Sequence, residues 1–183
     1  MNILLHICCA PCSFYTIDKL RQDGHKVRGL FYNPNIYPLA EYKLRRQAVV
    51  DMAKRLNVNV IYDENQTIPT SEVELAKTDL NLGGWNGKQQ RCNNCWRMRL
   101  VKAVDIAKKE YMDAFSTTLL ISPYQNHDEI RIIGDGLGKK EKINFYYDDF
   151  RAGFRQSQQV AKESGCYRQK YCGCEKSIEE AKR

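Results

Sequence analysis

Short apolar runs alternating with amphipathic stretches leave this chain few folds to adopt. ILLHIC (3–8) opens the pattern, VRGLFY (27–32) repeats it, and Val58 to Tyr62 supplies a third run. Runs of this kind, bounded by turn signals, suit strands covered on both faces. Between the first two lies a helix expected from a Ser13 cap to Asp23 and closed by Gly24, and AEYKLRRQAVVDMAKRL (40–56) is plainly amphipathic. Further on, 71–78 reads as helix, NLGGWNGKQQ (81–90) as a polar loop, and 93–110 as a long helix capped by Asn93 or Asn94. Ala114 to Leu120 reads as strand, 126–133 as a short helix, 143–147 as strand and 151–164 as helix. Strands separated by helices imply a parallel sheet wound with right-handed crossovers. The expected class is α/β, a parallel sheet with flanking helices, in a single domain over 1–183 whose residues 166–183 form a cysteine-bearing C-terminal tail.

A chain of 183 residues with 43% hydrophobic content can bury a real core without a disulfide scaffold, so its eight cysteines need another reason. The run Ile3 to Ile7 is too short for a secretory h-region, and no Lys or Arg precedes it. Position 2 is Asn, which excludes myristoylation, and no stretch approaches the roughly 18 apolar residues of a membrane span. A cytoplasmic protein is expected, where thiols stay reduced and clustered cysteines act as metal ligands or redox catalysts. Twenty-nine basic residues against 22 acidic ones give a net charge of +7, which favours a polyanionic partner, nucleic acid first.

In such sheets, sites form beyond the carboxyl ends of the strands. Cys8, Cys9 and Cys12 therefore stand where a nucleotide-binding relative carries its phosphate loop, yet no glycine-rich fingerprint is present. A second group, Cys92-x-x-Cys95, accompanies the long helix. Cys8, Cys9, Cys92 and Cys95 supply four thiolates, enough for a [4Fe–4S] cluster or a tetrahedral zinc. Structural zinc through Cys9-x-x-Cys12 and Cys92-x-x-Cys95 is a competing reading, and plain packing is another. Cys12 either ligates or lines the cavity, and Cys166 stands apart as a bystander. Cys172-Gly-Cys174 places two sulfurs close enough for a strained bridge, which suits an electron relay better than a staple; a pair of free thiols is the bland alternative. His6, His25 and His127 read as structural, with His127, Asp128 and Asp149 held in reserve for a further metal or a proton donor.

The segments CCAPCS, FYNPNIYPLAEY, RCNNCWRMRL, FSTTLLISPYQNHDEI, DDFRAGF and YRQKYCGCEKS, in this order from Met1 to about Ser177, resemble the epoxyqueuosine reductase QueH family. The resemblance implies a cobalamin-independent iron–sulfur oxidoreductase with a HUP-like α/β fold related to ATP-pyrophosphatases of tRNA modification. Its substrate would be a tRNA with a GUN anticodon carrying epoxyqueuosine at the wobble position, reduced to queuosine in the last step of that biosynthesis with electrons from an external donor. It further implies Cys8, Cys9, Cys92 and Cys95 as ligands of a [4Fe–4S] cluster, and Cys172 with Cys174 as a redox-active disulfide. An additional mononuclear iron is compatible with so sulfur-rich a site. Tyr32, Tyr37, Tyr124 and Tyr171 are then candidates to stack on the base. Arg45, Arg46, Arg91, Arg97, Arg168 and Lys170 are candidates for phosphate contacts, and Asp149 or Asp128 for proton supply. A zinc-stabilised tRNA-binding module and a tRNA-thiolating enzyme are the other classes; the second would need ATP, and the missing phosphate loop counts against it.

Overall fold

A computed structural model describes residues 1–63 and 87–182. The helix expected at 71–78 and most of the 81–90 loop lie outside the described residues. Five strands, β1 (Asn2–His6), β2 (Lys26–Phe31), β3 (Val60–Tyr62), β4 (Ala114–Thr117) and β5 (Asn144–Phe145), form one sheet. Their order is β3-β2-β1-β4-β5 and every pairing is parallel. Strand β1 lies at the centre, with Leu5 facing Gly29 on one side and Ser116 on the other. Ile3, Leu4 and Leu5 are fully buried, which explains why this strand reads as a continuous apolar run instead of an alternating one.

The helices are α1 (Ser13–Gln22), α2 (Leu39–Arg55), α3 (Lys88–Lys109), α4 (His127–Glu141), α5 (Phe154–Glu163) and α6 (Glu175–Ala181). Helix α3 packs on α4, β1 and β4, while α1 packs on α5. None of the described helices is long and apolar enough to cross a membrane.

Several element boundaries differ from expectation for identifiable reasons. Helix α3 starts at Lys88 behind Gly87, not at 93, because the intervening Lys, Gln and Arg residues are good helix formers. Asn93 and Asn94 therefore lie inside the helix and do not cap it. Strand β4 ends at Thr117, whose hydroxyl accepts from the Leu119 amide and turns the chain into a 3-10 turn over Thr118–Ile121. Helix α4 runs on to Glu141, well past 133, through Gly134, Gly136 and Gly138. These glycines look like helix breakers, but two of them are contact positions. A Cβ at Gly134 would lie 2.3 Å from the Phe145 ring, and one at Gly138 would lie 2.8 Å from the Ile143 carbonyl oxygen. Residues 175–181 of the expected tail form α6, tied to α3 by Arg91 and Glu180 at 2.6 Å.

His6 links three elements inside the core. Its Nε2 lies 3.1 Å from the Tyr32 carbonyl oxygen and its Nδ1 lies 2.9 Å from Thr117 Oγ1. A carbonyl only accepts, so Nε2 carries the proton and Nδ1 accepts from the threonine. Burial, with the Arg99 charge second, lowers the His6 pKa to about 4, so the ring is neutral and structural.

The two exposed and buried helix glycines separate packing from propensity. Gly134→Ala gains about 0.5–1 kcal/mol of helix propensity but overpacks the Phe145 ring at a cost of about 1–3 kcal/mol, so a net loss is expected. Gly136→Ala meets nothing within 4 Å and is expected to stabilise by about 0.5–1 kcal/mol. Urea denaturation of the two variants checks the opposite signs.

Candidate metal centre

The connections reverse direction at β1, since β2 and β3 lie to one side and β4 and β5 to the other. The carboxyl ends of β1 and β4 thus flank the switch-point crevice where open α/β sheets hold ligands. Cys8 follows β1 there, and Thr118 follows β4. The Cys8 amide donates to Thr118 Oγ1 at 3.0 Å, and the same hydroxyl donates to Cys8 Sγ at 3.3 Å. Cys9 Sγ lies 3.7 Å from Cys8 Sγ and 3.0 Å from Cys12 Sγ. All three sulfurs fall within 4.8 Å of one another. Cys12 itself is the residue preceding α1, and Ser13 does not cap that helix: its hydroxyl donates to the Cys9 carbonyl at 2.9 Å and closes the loop.

This trio favours one thiolate. Hydrogen bonds from Cys12 and Cys9 hold Cys8 well below the ordinary thiol range, against the opposing effect of burial. Burial raises Cys9, and the bond to Cys8 raises Cys12. A cation entering the trio would displace the two remaining thiol protons, which is how thiol sites couple metal binding to proton release.

Cys92 and Cys95 stand one turn apart on α3. Asn35 Nδ2 donates to Cys95 Sγ at 3.2 Å. Burial first, relieved by the Arg99 charge and reinforced by the Cys172 and Cys174 sulfurs, leaves the Cys95 thiol at about 11. Burial and then Cys172 raise Cys92. The structure therefore brings the helix pair and the C-terminal pair into one electrostatic neighbourhood. Among the described residues, however, the only set of three ligating side chains within 4.8 Å is Cys8, Cys9 and Cys12. Cys12, left open by its spacing, belongs to the tight group, while Cys92 and Cys95 stand off from it. Cys172 and Cys174 are both free thiols, the first exposed and the second half-buried. Gly173 between them has φ +141, and a Cβ there would lie 3.1 Å from an Arg45 guanidinium nitrogen.

One buried charge of the crevice belongs to a residue that motif reading passed over. Arg99 is 2% exposed and has no carboxylate within ion-pair distance among the described residues. Burial opposes its charge, while the sulfurs of Cys95, Cys8, Cys172 and Cys174 favour it and win. Among the described residues its Nε has no hydrogen-bond partner, while its Nη2 donates to Asn35 Oδ1 at 2.9 Å. A buried guanidinium needs compensating negative charge. Among the described residues sulfur is what faces it, so the donor set fits a thiolate-bound metal centre. The signal was present in the sequence: Arg99 follows Cys95 by four residues and so shares its helix face.

Arg45, expected at a phosphate, is instead buried at 2% exposure and paired with Glu41 at 2.7 Å. Its other nitrogens donate to the Cys172 carbonyl at 2.8 Å and the Tyr171 carbonyl at 2.9 Å. Tyr167 donates its hydroxyl to Glu41, and the Tyr37 amide donates to the Gly173 carbonyl at 2.8 Å. Gln169 Nε2 donates to Cys9 Sγ at 2.9 Å. Helix α2 and the loop before it thus clamp the cysteine segment over the crevice. Arg91 is likewise committed, to Glu180, and Arg46 lies over the Tyr62 ring at 4.9 Å.

Beside the trio opens a cavity of about 420 Å³ lined by Cys8, Cys12, Arg99, Cys172, Gln125 and Gln158. Tyr124, Tyr171, Arg168 and Lys170 also border it. Tyr124 is 83% exposed and meets Phe154 edge-on at 6.0 Å. Tyr32 is a core residue and Tyr37 is exposed away from this lining. Asp149 is a poor proton donor, because its bonds to Arg151 lower its pKa to about 2 and keep it ionised. Cys166 borders a different cavity with Met52 and Arg55.

A parallel α/β sheet whose switch point presents sulfur in place of a phosphate loop defines a class: thiol-centred proteins built on an open parallel α/β sheet. The profile of the family described as epoxyqueuosine reductase QueH matches residues 3–180. A relative so named from Thermotoga maritima is 38% identical over 175 residues, covering 94% of this chain and 88% of its own. Another from Staphylococcus aureus is 34% identical over 179 residues, covering 94% and 74%. The chain belongs to the QueH family. Among solved structures, a deacetylase of the teicoplanin biosynthesis pathway superposes with a TM-score of 0.50 at 12% identity, covering 89% of this chain and 83% of its own, a likeness of fold alone.

Arg45→Met is expected to destabilise the protein by about 3–5 kcal/mol, because it strands the buried Glu41 charge. It should also accelerate alkylation of Cys172 by releasing the Tyr171 and Cys172 carbonyls. Adding Glu41→Gln should restore much of the stability but not the protection of Cys172, as urea denaturation and timed alkylation would show.

Proposed function

We propose that this chain is an epoxyqueuosine reductase: it reduces the epoxide of epoxyqueuosine, at the wobble position of a tRNA with a GUN anticodon, to the cyclopentene of queuosine, as the last step of that biosynthesis and without cobalamin. The observation that carries the proposal is the buried Arg99 charge, faced among the described residues by sulfur and by no carboxylate, at the switch point of a QueH-family chain. Cys8, Cys9, Cys92 and Cys95 are the ligands proposed for a [4Fe–4S] cluster, whose several irons suit ligands spread wider than the tight trio. Cys12 is the thiol then left for an additional iron. When bound, the cluster supplies single electrons.

Other work falls to the chain itself. A wobble base leaves its stack most readily in a single-stranded loop, and the cavity beside Cys8 is the place for it. Tyr124 and Tyr171 border that cavity as stacking surfaces. Arg168 and Lys170, both exposed at its edge, suit the flanking phosphates. Opening the epoxide to an alkene takes two electrons and two protons and releases water. Cys172 and Cys174 together hold two electrons and two protons as thiols and give them up on closing to a disulfide, so the exchange balances; an external donor then reopens the bridge. The sheet order and the switch-point site support a HUP-like assignment, and eight cysteines in a chain whose core needs no disulfide scaffold support a cytoplasmic setting.

Anaerobic purification is expected to give a brown protein containing iron and sulfide that converts epoxyqueuosine-containing tRNA. Cys92→Ala should lose cluster and activity together. Full cluster content and normal turnover in that variant would remove Cys92 from the ligand set, whereas a colourless, zinc-loaded wild type without turnover would favour the zinc-stabilised tRNA-binding module.

Affinity for tRNA should fall steeply with salt as counterions are released. Arg168→Ala is expected to weaken binding and flatten the log–log salt slope by about one unit, measured by filter binding across a salt series.

A further inference from the structure

We infer that Asn35, oriented by Arg99, is a positioning residue that sets the reduction potential of the centre through the sulfur of Cys95. The inference rests on the proposed role of Cys95 as a cluster ligand. Three side chains from three parts of the fold each donate to a different sulfur: Thr118 to Cys8 at 3.3 Å, Gln169 to Cys9 at 2.9 Å and Asn35 to Cys95 at 3.2 Å. Only one of the three has a charged group behind it.

A guanidinium has donors and no acceptor, so the atom of Asn35 that faces Arg99 Nη2 at 2.9 Å must be the amide oxygen. The amide nitrogen is thereby turned toward Cys95, and the flipped amide would set N–H groups against a cation. The two amides differ in this respect, because the Gln169 oxygen has no partner to fix it. The loop carrying Asn35 is itself held in place: Asn33 donates to the Ile7 carbonyl at 2.8 Å, and the Ile36 amide donates to the Asn33 carbonyl at 3.2 Å. Arg99 is anchored on α3 one turn beyond Cys95 and is buried.

Such a donor interacts more strongly with sulfur as negative charge accumulates on the centre. A hydrogen bond to a ligand sulfur therefore stabilises the reduced state and raises the potential. The guanidinium behind the amide polarises it and acts in the same direction, and low local polarity leaves both effects weakly screened. Asn35 is then not a ligand and not a group that touches substrate; it acts on the centre through Cys95.

The test is a dye-mediated potentiometric titration of anaerobically prepared protein, followed by visible absorption and electron paramagnetic resonance, for wild type, Asn35→Leu and Asn35→Asp. Asn35→Leu removes the donor at similar volume. Asn35→Asp keeps an ion pair with Arg99, which protects the fold, and presents an anion to the sulfur. Both variants are expected to retain wild-type iron and sulfide while their midpoints move to more negative potential, the Asp variant further. A midpoint unchanged in Asn35→Asp overturns the inference, and so does iron loss from a folded Asn35→Leu protein, which would make Asn35 an anchor of the metal. A wild type devoid of iron and sulfide would instead refute the proposed centre before any variant is compared.

Discussion

The structure turns on one buried charge. Arg99 is buried beneath the crevice with no carboxylate partner among the described residues, and such a charge costs several kcal/mol unless something answers it. The sulfurs that face it are those of Cys95, Cys8, Cys172 and Cys174, from α3, the loop after β1 and the C-terminal segment, and of these Cys8 is the one held below the ordinary thiol range. Crowded thiols have the reverse problem, since each anionic sulfur raises the proton affinity of the next. Cation and sulfurs therefore depend on each other. The sheet brings the β1 loop and α3 together, and the charge makes their meeting tolerable.

The C-terminal segment reaches this centre through a second buried charge, but one that is paired. Glu41 and Arg45 neutralise each other, so the spare donors of Arg45 are free to grip the Tyr171 and Cys172 carbonyls. That grip crowds any side chain at 173, where the backbone also adopts a φ that favours glycine. The Cys-Gly-Cys spacing thus has a cause in packing as well as in redox chemistry. Both thiols are presented by a clamped backbone, and only Cys172 is exposed.

Sheet class and cysteine grouping were legible because both leave periodic or clustered marks. ILLHIC reads as a buried strand since β1 is buried from Ile3 to His6, and Cys8, Cys9 and Cys12 follow directly from where that strand ends. What escaped were features defined by partners distant in sequence. Glycines 134 and 138 look like breakers until Phe145 and Ile143 are placed against them. Arg45 looks like one more surface cation on an amphipathic helix, and only its contacts with residues 171 and 172 reveal a clamp. Asn35 sits in a loop whose composition signals a turn; its amide acquires meaning from Arg99, on another element.

The loop after β1 also explains why sulfur replaces phosphate at this switch point. A phosphate cradle needs backbone N–H groups pointing outward at a helix start. Here the Cys8 amide is taken by Thr118 Oγ1, and the Ser13 amide is taken by the Ala10 carbonyl. Ser13 and Thr16 turn their hydroxyls back onto the Cys9 and Cys12 carbonyls. With these two amides turned inward, what the loop sets at the crevice is sulfur, from Cys8 and Cys12. A nucleotide's anionic tail would meet a Cys8 thiolate in that position and be repelled. The same geometry that closes the site to a phosphate leaves it open to a cation, and the Arg99 charge beneath it limits how many thiolates can gather before one is required.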